Sequence, residues 1–402
     1  MGLDGYDGGM GERLRILFVI TDLHRGGSPL VLAAVVRGLV RRGVGVEVVS
    51  LSGKGEVGEM LEREGVSVVG LEADGARDWR VVGKLLRRLR ETEPDIVCSI
   101  LVHANVVAAM ARGVLEKGDD GRGIRWVQSI HTVQEKPLWH WVVQGMILPR
   151  ADLFVAPSRA VVEKVLRYGA LADGARAEVI PNGIEVRRFF EARAIEAERR
   201  PWPAGSFVVG YVGRFDRVKR LDSLIEATAM LMRRGTIPRL QLALVGYGEQ
   251  EERLRKLAAE RGLMGQGGER GSKWGAVVHF PGKTDEPERW YKAFDLFCSP
   301  SAAEGFGLTL VEAAVAGCPL MACETPAVRE TLAGVEGVSW LPEGAAAEEV
   351  ARGIAEAYGR KAAASGERVG PELAWFERRF SEEKMVDRYA GIFLKSTEGK
   401  RK

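Results

Sequence analysis

Short apolar runs rich in β-branched residues alternate with helical patterns along this chain. Strands that are buried on both faces read as continuous apolar runs, and helices cross over between parallel strands, so this alternation is typical of βαβ units. The runs cover residues 16–20, 44–51, 66–71, 95–101, 125–130, 153–156, 177–180, 207–212, 240–245, 277–280, 296–299, 319–322 and 337–340. The sequence therefore predicts an α/β protein with parallel sheets.

A charged stretch that ends in PWPAG separates the first seven runs from the last six. A parallel sheet cannot continue through Pro201 and Pro203, because proline lacks the amide that the ladder needs. Both halves open with a strand, a loop and a helix, so we expect two doubly wound, Rossmann-like domains that face each other across a cleft. The predicted divisions are a flexible tail (1–13), an N-terminal domain (14–200), a C-terminal domain (201–370) and one or two terminal helices (371–395).

Charge and composition exclude several classes of protein. The 58 basic and 55 acidic residues leave a net charge of +3, spread evenly about Pro201, so the concentrated basic surface of a nucleic-acid binder is not indicated. The N-terminus lacks a signal-peptide pattern, and no apolar run reaches the roughly 18 residues of a membrane span. We expect a cytoplasmic protein. Residues 81–90 and 137–150 are apolar with basic flanks, and they are either core-facing helices or peripheral contacts with the inner face of a membrane.

Glycine is unusually frequent, with 50 of the 402 residues, about 12% where about 7% is usual. Gly26 and Gly27 lie between the first strand and a helix predicted over residues 29–39. There they form either a tight turn or an open backbone that lets a phosphate approach the helix N-terminus. Residues 53–58 match G-x-G-x-x-G but follow the second strand, so we interpret them as a loop into a helix over 59–65 rather than a dinucleotide site.

The second half places charged residues after its strands. Arg214 and Lys219 follow the strand FVVGYVG, where an arginine fork and a lysine point charge are suited to a diphosphate. Glu304 and Glu312 lie eight residues apart around a predicted helix start at residues 305–308. Carboxylates accept hydrogen bonds from sugar hydroxyls, and a free helix N-terminus attracts an anion. A capping glutamate and a surface glutamate are the alternative interpretation.

His131 ends the strand RWVQSI. At the carboxyl end of a parallel strand it would point into the cleft, although a structural histidine is the common alternative. The other four histidines are scattered, and the four cysteines form no C-x-x-C pair. The sequence therefore predicts no metal site, and neither a zinc cluster nor a disulfide framework.

These residues belong to segments that together resemble the retaining GT-B glycosyltransferases of family GT4. The similarity runs from about residue 15 to residue 394 and rests on the Gly26-Gly27 loop, SIHT, RADLFVAPS, IPNGIE, GRFDRVKRLDSLIEA, LVGYGEQEERL and the E-x7-E segment from Glu304 to Glu312. One departure follows that segment. Where the family often has a Gly-Gly turn and a glutamate, this chain has Thr325 and Pro326 and keeps only Glu330, which leaves the sugar preference open.

The resemblance implies a UDP- or GDP-sugar donor, with no cofactor beyond it and no obligatory metal. Four residues would be catalytic: His131 at the donor sugar, Arg214 and Lys219 at the pyrophosphate, and Glu304 at sugar hydroxyls. Glu312 would bind the ribose. The remaining donor-binding positions would be Gly26, Gly27, Gly246, Gly248, Gly305, Phe306, Gly307 and Leu308.

The expected function is transfer of a sugar, with retention, to an acceptor hydroxyl on a carbohydrate or lipid-linked molecule. A pathway of bacterial surface polysaccharide or glycolipid synthesis would be the setting, by family analogy. Two alternatives stay open: a GT-B sugar-nucleotide epimerase, and a non-catalytic nucleotide-sugar-binding or scaffold protein. A nicotinamide dehydrogenase ranks last. The insertion over residues 262–275 has no functional interpretation.

Overall fold

The computed structural model describes residues 14–75, 78–117, 123–133, 138–265, 275–363 and 372–395. They form two parallel sheets, of seven and six strands, with helices on both faces. The predicted fold class is confirmed. The expected tail over residues 1–13 and most of the 262–275 insertion lie outside the described residues.

The first sheet has the strand order β3-β2-β1-β4-β5-β6-β7, and all of its neighbouring strands are parallel. Its order reverses between β1 and β4, which is the point where open α/β sheets bind ligands. The elements of this half are β1 (Arg15–Ile20), α1 (Gly27–Arg41), β2 (Gly45–Ser50), α2 (Gly55–Arg63), β3 (Ser67–Gly70), α3 (Arg80–Thr92), β4 (Ile96–Ile100), α4 (Val102–Lys117), β5 (Arg125–Ser129), α5 (Trp139–Ile147), β6 (Leu153–Ala156), α6 (Arg159–Leu166) and β7 (Arg176–Val179).

The second sheet has the order β10-β9-β8-β11-β12-β13 and reverses between β8 and β11. Its strands are also parallel. The elements are α7 (Val186–Phe190), β8 (Phe207–Arg214), α8 (Leu221–Arg234), β9 (Leu240–Tyr247), α9 (Glu251–Glu260), β10 (Val278–Gly282), α10 (Pro287–Tyr291), β11 (Leu296–Ser299), α11 (Leu308–Val315), β12 (Leu320–Cys323), α12 (Pro326–Thr331), β13 (Ser339–Leu341), α13 (Ala347–Ala363), α14 (Leu373–Phe380) and α15 (Glu382–Lys395).

Strand β1 shows why the central strands of this chain are mainly apolar. Ile16 and Phe18 pack in a cluster with side chains of α1 and α15. Leu17 and Val19, on the opposite face of the strand, pack with side chains of α3 and α4. Successive strand residues point to opposite faces, and here both faces are covered, so the buried residues from Ile16 to Ile20 are all apolar.

The chain crosses between the domains twice, and the two crossings are joined. The amide of Ile184 donates to the carbonyl of Phe380 (2.7 Å), and the amide of Glu382 donates to the carbonyl of Ile184 (3.1 Å). Helix α14 packs in the core of the second domain, whereas α15 returns to the core of the first through residues such as Phe393. Ile184 and Phe189 already pack in the second core, so the first crossing lies nearer residue 180 than the boundary predicted at 200/201.

All thirteen predicted strands are present, with ends that differ by at most a few residues. The helix predicted over residues 59–65 was placed too late. It begins at Gly55, where φ is +57°. A Cβ at Gly55 would lie 2.6 Å from the backbone carbonyl of Leu23. The G-x-G-x-x-G pattern therefore packs α2 against the loop after β1.

Candidate active site

A cleft of about 480 Å³ opens between the carboxyl ends of the two sheets. One wall consists of residues that follow β1, β4 and β5, and the opposite wall consists of residues at the ends of β8, β9 and β11. The cleft therefore lies at the reversal point of both sheets. Its volume is within the range of roughly 300–1,000 Å³ that is common for small-molecule sites.

Lys219 and Glu304 form an ion pair in the wall of the cleft, with 2.6 Å between Nζ and Oε1. Lys219 ends a 3₁₀ turn after β8, and Glu304 lies in the loop after β11. The two side chains are only 21% and 12% exposed. A pair with so little access to water is held in a fixed geometry and is weakly screened by salt. The cleft thus presents one fixed cation beside one fixed carboxylate.

Arg214 contributes a second cation to the cleft. Its Nη2 lies 2.7 Å from Oδ2 of Asp216, and its side chain is 57% exposed. A methyl group added at Gly26 of the opposite wall would lie 4.0 Å from Cδ of Arg214. A methyl group at Gly27 would lie 3.4 Å from the side chain of Leu308. The two glycines therefore stand directly across the cleft from the predicted diphosphate-binding residues.

Helix α11 begins in the cleft wall. Gly307 is its N-cap with φ +83°, and no side chain caps it. Phe306 is buried and packs on Phe380, with 6.1 Å between ring centroids. The contact between Phe306 and Phe380 fixes the loop that leads into α11. The uncapped first turn of α11, at Leu308 and Thr309, lines the cleft. An uncapped helix start carries partial positive charge, which favours an anion.

Glu312 lies about one turn into α11 and also lines the cleft. The hydroxyl of Tyr291 donates to its Oε2 at 2.7 Å. Burial raises the pKa of Glu312, and the hydrogen bond from Tyr291 opposes that shift. One carboxylate oxygen is therefore held by the protein.

His131 lines the cleft from the N-terminal wall. Its Nε2 lies 3.1 Å from Oγ of Ser129, and its Nδ1 is buried without a hydrogen-bond partner among the described residues. Burial lowers the pKa of His131 to about 4, and the neighbouring Asn182 side chain acts to raise this pKa. The imidazole is therefore neutral at pH 7.

The buried histidines predict how stability depends on pH. Burial lowers the pKa of both His131 and His279 from 6.5 to about 4. As the pH falls, these histidines are protonated in the unfolded chain at a higher pH than in the folded protein. Proton uptake therefore favours unfolding, and stability is lost between pH 6.5 and pH 4. At pH 5 each histidine is expected to remove about 2 kcal/mol of unfolding free energy relative to pH 7. Urea titrations at pH 7, 6 and 5 measure this loss.

His279→Gln serves as the control for that experiment. His279 is buried and its Nε2 lies 2.7 Å from Oε1 of Gln241, and a glutamine amide retains a donor there without titrating. The variant is expected to show a loss between pH 7 and pH 5 that is smaller by about 2 kcal/mol. An equal loss in the variant and the wild-type protein would show that His279 does not titrate as its burial requires.

Most of the predicted site residues are brought together in the cleft, and Gly248 is the exception. The lining includes His131, Arg214, Lys219, Glu304, Glu312, Gly26, Gly27, Gly246, Gly305, Phe306, Gly307 and Leu308. Gly248 is absent from this lining, and a Cβ there would lie 2.6 Å from the amide nitrogen of Phe215. Its missing side chain permits contact between two loops of the protein. Glu330 also lies outside the lining.

Several residues of the lining were not predicted from the sequence. Lys283 follows β10 directly, and Arg214 is the last residue of β8. Both cations lie at the carboxyl end of a strand, so the reasoning that selected Arg214 also selects Lys283. Both oxygens of Glu56, in the opposite domain, lie 2.7 Å from Nζ of Lys283. Asn182 lines the cleft and lies in the IPNGIE segment, but the sequence pattern did not predict it as a site residue. Asp22, two residues after β1, also lines the cleft.

The part of the chain that the structure describes holds neither a metal-binding cluster nor a membrane-spanning helix. Among the residues that the structure describes, no group of three or more His, Cys, Asp or Glu side chains is arranged to hold a metal ion. None of the helices in the described ranges combines the length and apolar character needed to span a bilayer.

Two family models match the two halves of the chain. Residues 25–188 match the model described as Glycosyltransferase Family 4, and residues 193–365 match the model described as Glycosyl transferases group 1. The two matches are consecutive and meet near the first crossing between the domains.

Two curated relatives are mycobacterial and corynebacterial proteins. The phosphatidyl-myo-inositol mannosyltransferase of Mycobacterium tuberculosis (strain ATCC 25618 / H37Rv) is 29% identical over 51% of this chain and 50% of its own. This chain therefore spans about half the length of that relative. The D-inositol 3-phosphate glycosyltransferase of Corynebacterium jeikeium is 29% identical over 75% of this chain and 76% of its own.

A solved structure has the same fold over nearly the whole chain. Anabaena Alr3699/HepE, crystallised with UDP-glucose, superimposes with a TM-score of 0.75 and 22% identity, over 95% of this chain and 100% of its own. At that identity the likeness concerns the fold alone. The two consecutive family matches and this two-domain architecture agree, and the chain belongs to the GT4 family of GT-B glycosyltransferases.

Proposed function

We propose that this protein is a retaining glycosyltransferase that moves a sugar from a UDP- or GDP-sugar to an acceptor hydroxyl. The observation that carries the proposal is the pair of Lys219 and Glu304, held 2.6 Å apart beside Arg214 and the uncapped start of α11. Cations and helix amides suit a diphosphate, and carboxylates suit the hydroxyls of the sugar attached to it. The combination fits a nucleotide sugar better than a plain nucleotide.

Catalysis would come from charge stabilisation at the leaving group. When the bond between the anomeric carbon and the diphosphate breaks, negative charge collects on the phosphate oxygens. Arg214, Lys219 and the amides at Leu308 and Thr309 are already in place to stabilise it, so they bind the transition state more strongly than the ground state. Lys219 would exchange part of its contact with Glu304 for the phosphate, and Glu304 would take up sugar hydroxyls.

Neutral His131 would lie at the donor sugar and position it without adding charge. Retention requires that the acceptor attack the face from which the diphosphate leaves. The protein cations would do the work that a metal ion does elsewhere, so turnover is proposed to need no cofactor or added metal and to survive EDTA.

The acceptor is proposed to be a hydroxyl of a carbohydrate or lipid-linked molecule in bacterial polysaccharide or glycolipid synthesis. The names of the relatives from Mycobacterium and Corynebacterium support an inositol-containing acceptor. Phosphatidyl-myo-inositol is a membrane lipid, which would place the protein in the cytoplasm at the inner face of the membrane.

A surface for such a membrane contact lies on α4 and α5. These helices run side by side. His103 of α4 contacts Trp139 of α5 near the starts of both helices, and Arg112 of α4 donates to the carbonyl of Arg150 just after α5. Six apolar side chains are exposed along these two helices or at their starts: Met110, Val114, Leu138, Trp139, Val142 and Met146. The other candidate segment, α3, turns its apolar side chains into the core.

The exposed side chains of α5 predict binding to anionic vesicles. Met146 is 68% exposed and Val142 is 45% exposed. The exposed Lys117 and Arg150 add positive charge at the far end of the helices, where Glu116 is paired with Arg112. The double variant Val142→Glu/Met146→Glu is expected to bind vesicles of phosphatidylglycerol and phosphatidylcholine at least about tenfold more weakly. Val40→Glu, at an exposed apolar residue of α1, is the control. Unchanged sedimentation of the double variant would remove α5 as the contact.

The proposed reaction is tested by NMR of the anomeric proton. UDP-glucose, UDP-N-acetylglucosamine and GDP-mannose would each be incubated with the protein, with and without D-inositol 3-phosphate, in buffer containing EDTA. Transfer with retention predicts an α-linked product from an α-linked donor, together with free nucleoside diphosphate that forms faster with the acceptor. Conversion of the nucleotide sugar to its epimer without diphosphate release would instead identify an epimerase.

A further inference from the structure

Ser158 joins the two domains at the loop that carries Glu304. Its hydroxyl donates to the carbonyl of Gly305 at 2.8 Å, and it accepts a hydrogen bond from the amide of Val161 at 3.4 Å. Ser158 is the N-cap of α6 in the N-terminal domain, whereas Gly305 precedes α11 in the C-terminal domain. Both residues are buried, so water cannot replace the bond between them.

Gly305 is held from a second side by the backbone of His131. A Cβ at Gly305 would lie 2.2 Å from the carbonyl oxygen of His131, so the two backbones touch with no room for a side chain. The residues on either side of this contact are the proposed donor-binding groups: His131 in one domain, and Glu304 in the other. The distance between these groups is therefore set where Gly305 meets His131 and Ser158.

Glu330 adds a third contact at the same place. Its carboxylate accepts hydrogen bonds from the amides of Arg159 (2.9 Å) and Ala160 (3.3 Å), at the N-terminus of α6. A carboxylate is stabilised there by the helix dipole. Arg379 of α14 donates to the backbone carbonyl of Glu330 at 2.8 Å, which ties α12 to the helix that leads into the second crossing between the domains.

We propose that Ser158 and Glu330 are positioning residues, which together clamp the start of α6 to the donor loop and so fix Glu304 relative to His131. The inference rests on the proposed function. Neither side chain lines the cleft, so neither would contact the donor. The Glu330 that the sequence keeps then concerns the contact between the domains.

The clamp is tested with Ser158→Ala, Ser158→Thr and Glu330→Gln. A loop displaced by about 1 Å costs up to about 100-fold in rate, so Ser158→Ala and Glu330→Gln are each expected to lower kcat about 10- to 100-fold. The Kd of the nucleotide should stay within about threefold, because Arg214 and Lys219 are unaffected. Ser158→Thr keeps both hydrogen bonds and should restore kcat. Ser50→Ala, at a buried serine of β2 that does not line the cleft, is the control for lost stability.

Hydrogen exchange of the amides in residues 303–308 gives a readout that does not need turnover. Faster exchange in that segment is expected for Ser158→Ala and Glu330→Gln, and not for Ser50→Ala. The clamp is overturned if exchange in residues 303–308 is unchanged in both variants, or if they lower Tm but keep the wild-type kcat. Faster exchange in a protein that never turns over a nucleotide sugar would retain the clamp and reject the proposed function.

Discussion

Replacing Lys219 with methionine is expected to lower kcat for sugar transfer about 100- to 1,000-fold, the range found when one preorganised charge-stabilising donor is removed. Lys219 is the less exposed of the two cations at the proposed leaving group, at 21% against 57% for Arg214. Its charge is therefore less screened by water. Its removal also leaves Glu304 as an unpaired, nearly buried carboxylate, which would repel the diphosphate.

The measurement is steady-state release of nucleoside diphosphate, with the thermal midpoint of each variant recorded alongside. Lys256→Met is the matched control, because Lys256 is an exposed lysine on α9 of the same domain. Its kcat should equal that of the wild-type protein. If Lys219→Met retained more than about a tenth of the wild-type kcat, electrostatic stabilisation by this residue would be too small to matter.

Gly305→Ala is expected to remove at least about 99% of the activity, because an added Cβ would lie 2.2 Å from the carbonyl oxygen of His131. That atom belongs to the backbone and cannot rotate away. The domains must then separate by about 1 Å at the point where donor-binding residues of both walls meet, and such a displacement costs about 100-fold in rate. Nucleotide affinity, which depends on the C-terminal wall, should change little.

Gly359→Ala provides the contrast. Gly359 lies exposed in the interior of α13 with no atom within 4 Å of an added Cβ, so alanine should add about 0.5–1 kcal/mol of stability without affecting turnover. Kinetics and calorimetric nucleotide titrations on both variants measure the difference. Wild-type kcat in Gly305→Ala would mean that the contact between Gly305 and His131 is not maintained during the reaction.

The fold was predictable from local features of the sequence. Runs such as residues 16–20 are apolar at every position because helices cover both faces of the strand. Such a run predicts a strand buried on both faces even when the covering helices are not known. Ligands bind at the carboxyl ends of parallel strands, and this rule predicted that Arg214, Glu304 and His131 share one site. These inferences need only the strand ends and the topology, both of which depend on short-range patterns.

The contacts between the domains were not predictable in the same way. Ser158 and Gly305 are 147 positions apart, and Glu330 lies 171 positions from Arg159. Nothing in either segment signals the other, because the pairing depends on how two separately folded sheets meet. Gly248 was misplaced for a related reason. A glycine after a strand permits a close approach, but the sequence does not say whether a ligand or another loop makes it.

The central claim is that the cleft binds a nucleoside diphosphate through Arg214 and Lys219, and isothermal titration calorimetry tests it most directly. UDP, GDP, ADP and uridine would be titrated into the wild-type protein and into Lys219→Met. The account predicts saturable binding of UDP or GDP, weaker binding of uridine, and at least about tenfold weaker diphosphate binding by the variant, a difference of about 1.4 kcal/mol. Failure of every diphosphate to bind the wild-type protein, or equal affinity in the variant, would contradict it.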